Sequence, residues 1–189
     1  MVLAARQRHS FPEYLAIEEM NPVRHEFCDG EVWAMAGGSP NHAAIAINVA
    51  SVLREQLRGR PCRVFGSDLR IRVRASGLAT YPDASVVGSH LEVDPDDPSG
   101  HTVVNPTLLV EVLSPSTEAY DRGEKLAHYK RIPSLREVVL VAQDERRLEL
   151  WRRDGERWTV ELARGNEVAH LPSIDFALPL AEIYLDPLA

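Results

Sequence analysis

Thr107-Leu108-Leu109-Val110-Glu111-Val112-Leu113 is apolar on both alternating faces except at Glu111. A short run of this kind reads as a strand covered on both sides, in the interior of a sheet with helices against it. A carboxylate in such a place is costly unless something pairs with it. These seven residues therefore raise the question of fold and the question of function together.

Working upstream, Thr80 to Val87 reads as a further strand, and it carries Tyr81-Pro82-Asp83. Between the two strands, Glu92, Asp94, Asp96 and Asp97 alternate with Pro95, Pro98 and Gly100, the composition of a solvated acidic loop. Leu69, Ile71 and Val73 alternate with Arg70, Arg72 and Arg74, the period of a strand with one buried and one wet face. Behind the breaker Gly37-Gly38-Ser39-Pro40, the residues Ile45, Val49, Val52, Leu53 and Leu57 recur at helical spacing, and Gly59 and Pro61 end the segment. Arg24 to Cys28 and Glu31 to Met35 flank Asp29-Gly30, which supplies the positive φ angles of a hairpin turn. Ser10-Phe11-Pro12-Glu13 opens a helix that runs to about Glu19.

Downstream, Ala119 to Arg131 predicts a helix, Glu137 to Ala142 a buried strand, and Arg147 to Arg152 with Arg157 to Glu161 a hairpin around Asp154-Gly155. Strands alternating with helices predict an α/β or α+β fold, one sheet with helices packed against it. The length of 189 residues fits one domain over residues 1–189.

Composition narrows the class. The hydrophobic share of 44% and charged share of 26% exclude a disordered chain. Residues 1–10 hold no signal-peptide stretch and no run reaches the roughly 18 apolar residues of a membrane helix, so a cytoplasmic protein without membrane contact is expected. Cys28 and Cys62 lack a second pair and read as small core residues, not as a zinc site or disulfide framework. The net charge of −7 speaks against bulk attraction to nucleic acid. Locally, seven arginines from Arg54 to Arg74 stand against Glu55 and Asp68. This face either accepts phosphates, with Arg70 and Arg72 as candidate contacts, or is a solvated surface.

Asp83 and Glu111 lie 28 residues apart in two predicted neighbouring strands. Two such carboxylates can share a hard cation such as magnesium, which needs few protein ligands and leaves positions for water and phosphate. Glu26, just before the first hairpin turn, supplies a third acid if that hairpin folds across the sheet. Lys125 can reach the same place from its helix, in an electrostatic role, since proton abstraction requires a large drop from its ordinary pKa. Asp121, four residues before Lys125, offers a plain helical ion pair instead.

A longer pattern runs through these residues: Glu26-Phe27-Cys28-Asp29-Gly30-Glu31, Met35-Ala36-Gly37, Ser39-Pro40-Asn41-His42, Ser67-Asp68-Leu69-Arg70, Tyr81-Pro82-Asp83, Glu111-Val112-Leu113-Ser114-Pro115-Ser116-Thr117 and Asp121-Arg122-Gly123-Glu124-Lys125. In this order, from about Phe11 to Tyr184, they resemble the bacterial Uma-two family, which is similar to the PD-(D/E)xK nucleases. The resemblance implies a restriction-endonuclease-like mixed central sheet flanked by helices, with N-terminal and C-terminal hairpins. It implies magnesium or manganese held by Asp83, Glu111 and the Val112 carbonyl, with Glu26 lining the site and Lys125 as a migrated lysine, because Leu113 stands where the superfamily places one.

His42 heads its helix either as a phosphate contact or as a surface histidine. Ser114, Ser116 and Thr117 read as turn and cap residues. The leading expectation is a metal-dependent endonuclease acting on DNA or another nucleic acid. Its rivals are a binding or assembly module of the same fold without turnover, and a structural homodimer built on the hairpin around Trp151 and Trp158.

Overall fold

In a computed structural model, which describes residues 8–185, the chain forms two larger sheets and a small third one. Residues 1–7, part of the N-terminal stretch read for a signal peptide, lie outside the described residues.

Helix α1 (Phe11–Met20) opens with a capping box in which Ser10 and Glu13 satisfy each other's neighbouring amides. The hairpin β1 (His25–Cys28) and β2 (Glu31–Ala34) turns at Asp29 and Gly30, with φ of 47° and 86°. Helix α2 (Pro40–Gln56) is capped by Ser39 and buries Ile45, Val49 and Leu53. Strands β3 (Arg63–Gly66), β4 (Arg70–Val73), β5 (Leu78–Thr80), β6 (Ala84–Val87), β7 (Thr102–Val103) and β8 (Pro106–Leu113) follow. After a helix over residues 118–129, here α3, come β9 (Glu137–Ala142), β10 (Arg147–Asp154), β11 (Arg157–Arg164), β12 (Val168–Leu171), β13 (Phe176–Pro179) and a short helix Leu180–Ile183.

The larger sheet has the order β11-β10-β9-β8-β6-β3, mixed because β8 and β9 run parallel while the other pairs are antiparallel. It is the mixed sheet expected, and the run 107–113 lies in its interior. One face packs on α2 and the C-terminal elements through Val110, Val112, Val139 and Val141, and the other buries Leu109, Leu113, Val138 and Leu140. The second sheet, β2-β1-β5-β4-β7, carries the N-terminal hairpin.

Several expectations are corrected. The single strand over residues 80–87 is two strands in different sheets, because Pro82 cannot donate to a ladder and Tyr81-Pro82-Asp83 becomes the crossing between them. The arginine face of β4 is not wet: Arg70 is buried, and Asp94 and Asp97 of the acidic loop are buried with it. That loop folds over the strand instead of standing in solvent, since opposite charges brought together offset the cost of burial. Cys28 and Cys62 are half-buried, each packed against the rim of a core cluster. Strands β3, β7, β12 and β13 were not foreseen.

Candidate active site

The crossing from β5 to β6 places Asp83 at the seam of the two sheets. Its neighbour Ala84 pairs with Val110, so Asp83 stands beside the Glu111-Val112 stretch of β8. The Val112 amide donates to Asp83 Oδ2 at 2.7 Å, and His42 Nε2 lies 3.4 Å from the same oxygen. His42 reaches this point from the first turn of α2, where Ser39 holds its amide.

Glu111 projects from β8 towards α3. Lys125 Nζ is 3.0 Å from Glu111 Oε1, 3.1 Å from Glu26 Oε1 and 3.6 Å from Asp121 Oδ1. All four of these side chains are buried. Tyr129, one turn after Lys125, donates its hydroxyl to Glu111, while Thr80 and Trp33 donate to the two oxygens of Glu26. Trp33 meets Tyr120 edge-on at 6.3 Å between ring centres.

The local geometry of α3 makes this convergence achievable. Its middle segment, Asp121–Lys125, is a π-helical turn between the α-helical residues Glu118–Tyr120 and Leu126–Tyr129. A turn of this kind accommodates one residue more than an α turn and recurs at functional sites. Here both Asp121 and Lys125 are buried towards β8.

Glu26, Asp83, Glu111, Lys125, His42 and Val112 all line one cleft of about 190 Å³, together with Asp121, Trp33 and Tyr120. Three carboxylates thus gather around one ammonium group, and Asp83 lines the same cleft. Burial pushes Glu111 up to about 8, with Asp83 and Asp121 adding to the rise and Lys125 opposing it. Burial works against the charge on Lys125, yet Glu111, Glu26 and Asp121 hold its pKa well above the usual lysine range. The hydrogen bond to Asp83 raises His42.

The donor set therefore fits a hard divalent cation: crowded carboxylate oxygens, Val112 on the same wall, and more acidic than basic groups in the lining. Among the described residues, no three His, Cys, Asp or Glu side chains are grouped so that together they could hold a metal ion. Two carboxylates and a carbonyl with waters suit magnesium, which seldom takes an all-protein shell.

Arg70 and Arg72 do not line the cleft. Arg70 donates to the Tyr81 hydroxyl at 2.8 Å and to Thr102 at 3.1 Å, and pairs with Asp97 at 3.6 Å. Arg72 is taken up by Asp94 at 2.9 Å and Asp96 at 3.1 Å, with its guanidinium 3.5 Å from the centre of the Phe11 ring. Their expected phosphate contact is withdrawn, because the acidic loop occupies both groups. Tyr129, Thr80 and Trp33, which fix the acids, were missed. Only Tyr129 left a signal, four residues after Lys125 on the same helix.

The family model described as "Putative restriction endonuclease", Uma2, matches residues 11–181. The chain belongs to the Uma2 family. Two uncharacterised proteins of Synechocystis sp. are similar to this Uma2 chain. One is 37% identical over 175 residues, covering 91% of this chain and 89% of the relative. The other is 34% identical over 157 residues, covering 83% and 88%. A crystal structure from Anabaena variabilis, described as a "putative nuclease belonging to DUF820", superposes with a TM-score of 0.71 at 19% identity, over 90% of this chain and 96% of that one. At that identity the likeness establishes a shared fold, here restriction-endonuclease-like.

Proposed function

We propose that this Uma2 protein is a metal-dependent nuclease that hydrolyses phosphodiester bonds in DNA or another nucleic acid, using magnesium or manganese. The observation that carries the reading is one cleft in which Asp83 stands beside the Glu111-Val112 stretch, with Glu111, Glu26 and Asp121 gathered around the ammonium of Lys125.

Asp83, Glu111 and the Val112 carbonyl would hold the cation. When bound, it supplies Lewis-acid polarisation of a phosphoryl oxygen and lowers the pKa of a coordinated water. Lys125 places a fixed positive charge beside the acids and stabilises the negative charge that builds on the phosphate. Glu26 and Asp121 hold that ammonium in place, and Tyr129 fixes the rotamer of Glu111. Trp33 and Tyr120 wall one side of the cleft. His42 stands beside Asp83 as a donor for a phosphate oxygen. Because Lys125 comes from a helix, Leu113 on β8 is free to remain in the core.

The test is cleavage of plasmid and single-stranded DNA with magnesium or manganese, wild type against Asp83→Ala. Wild-type cleavage lost in the variant supports the reading, and equal residual activity in both sinks it. Metal binding without cleavage of any nucleic acid would favour the rival reading of a nuclease-fold binding module.

A further inference from the structure

Strand β11 is where the larger sheet stops. It is eight residues long, keeps unbroken register with β10 from Arg157 to Arg164, and contains no proline, lysine or bulge. Free sheet edges are normally blunted by such devices, because a row of unpaired amides recruits another strand. The opposite edge is blunted: β3 has four residues, and Pro61 stands just ahead of it.

The side chains of β11 repeat the message. Trp158, Val160 and Leu162 share one face, across from Arg153, Trp151 and Glu149 of β10. Lys130 covers this row at β10, its ammonium 3.6 Å from the Trp151 ring centre and 5.9 Å from that of Trp158. Cover ends there, and Val160 and Leu162 are 47% and 49% exposed.

We propose that β11 pairs antiparallel with β11 of a second copy of this chain, about a two-fold axis at Val160, joining two six-stranded sheets into one. Charge selects the partner and the register. A two-fold pair is self-complementary, residue i facing j and j facing i. Three antiparallel registers keep at least seven of the eight strand residues paired. One sets Arg157 opposite Arg164, another sets Glu161 opposite Glu161, and like charges directly opposed destabilise a ladder. The third sets Val160 against Val160, Trp158 against Leu162 and Thr159 against Glu161. It opposes no like charges, closes the exposed apolar row over itself, and lays Arg157 diagonal to Glu161 of the partner subunit. Each cleft stays complete within one chain, since β8 lies three strands from β11. At ~4.8 Å per strand spacing, the two clefts stand on the order of 34 Å apart along the joined sheet.

The test uses the full chain in three measurements. Light scattering against concentration should show a dimer, and Arg157→Glu, which sets like charges on the diagonal, should raise its dissociation constant at least tenfold with an unchanged circular dichroism spectrum. Adding Glu161→Arg to that variant should recover the dimer. Val160→Cys should form an intermolecular disulfide on mild oxidation, because facing backbones in a ladder fall within the Cα separation a disulfide spans, whereas wild type with Cys28 and Cys62 should not. A monomer at every concentration overturns the proposal. So does a dimer that neither responds to the charge variants nor cross-links through position 160.

Discussion

The Val112 amide donates to the Asp83 carboxylate at 2.7 Å, so the acid just ahead of β6 is fastened to the residue directly after Glu111. This bond sets the spacing of the two acids proposed to share a cation. Replacing Asp83 by Ala should abolish manganese binding measured by calorimetry and lower nuclease turnover on the order of 10²-fold or more, the scale of losing one electrostatic group in an active site. Asp83→Asn keeps an acceptor for the amide, and should stay folded with the same loss of binding. Unaltered manganese affinity in both variants would remove Asp83 from the site.

Lys125 offsets the charge of the buried acids that surround it, Glu26, Glu111 and Asp121. Removing one partner from a buried ionic group costs about 3–5 kcal/mol, because the remaining charges are left uncompensated. Lys125→Met should therefore lower stability in urea by about that amount without divalent ions. Adding Glu111→Gln should cost little more, since burial pushes Glu111 up to about 8 and the Lys125 charge that opposed the rise is gone. A single variant as stable as wild type would mean that the acids are not jointly ionised around the lysine.

Acid stability should depend on Asp97. Burial alone would raise its pKa, but hydrogen bonds from Ser99 and Thr102, with the Arg70 charge, hold it below the ordinary aspartate value. A carboxyl depressed in the folded state stabilises the fold above its unfolded pKa, and that contribution fades as pH falls through the folded value. Asp97→Asn should lower stability at pH 7 by about 1.5–3 kcal/mol, the range for hydrogen bonds to a charged group. The gap to wild type should shrink below pH 4. Melting temperatures from pH 7 to pH 3 check this, and a constant gap would contradict it.

The hairpin that delivers Glu26 depends on a left-handed residue. Gly30 has φ of 86°, and a Cβ there would meet the Arg8 Cβ at 3.1 Å. Gly30→Ala should destabilise the protein by about 1–2 kcal/mol from the backbone conformation alone, seen as a lower melting temperature. A melting temperature equal to wild type would show that the turn rearranges freely.

Much of this architecture can be read locally. Asp29-Gly30 and Asp154-Gly155 announce their hairpins because few dipeptides adopt those angles, and α2 shows its stripe because one face meets the sheet. Asp83 and Glu111 could be paired in advance because their strands neighbour each other, and Lys125 because its helix follows β8. What stayed hidden depends on partners distant in sequence. Nothing in Arg70 says that Asp97, 27 positions later, folds back over it. Nothing in Tyr81-Pro82-Asp83 says that the chain changes sheets there. The two-residue strand β7 is too short to show a period.

The wide turn at Asp121–Lys125 makes the aim of the lysine a matter of counting. Successive helical residues are about 100° apart around the axis, so excising Gly123 would restore ordinary winding and swing one flank of α3 against the other. Asp121 and Tyr129 would then no longer bracket Lys125 from the same side. A codon lost in this stretch is a graver event for the protein than many exchanges of one side chain for another, and its length is as much part of its chemistry as its composition.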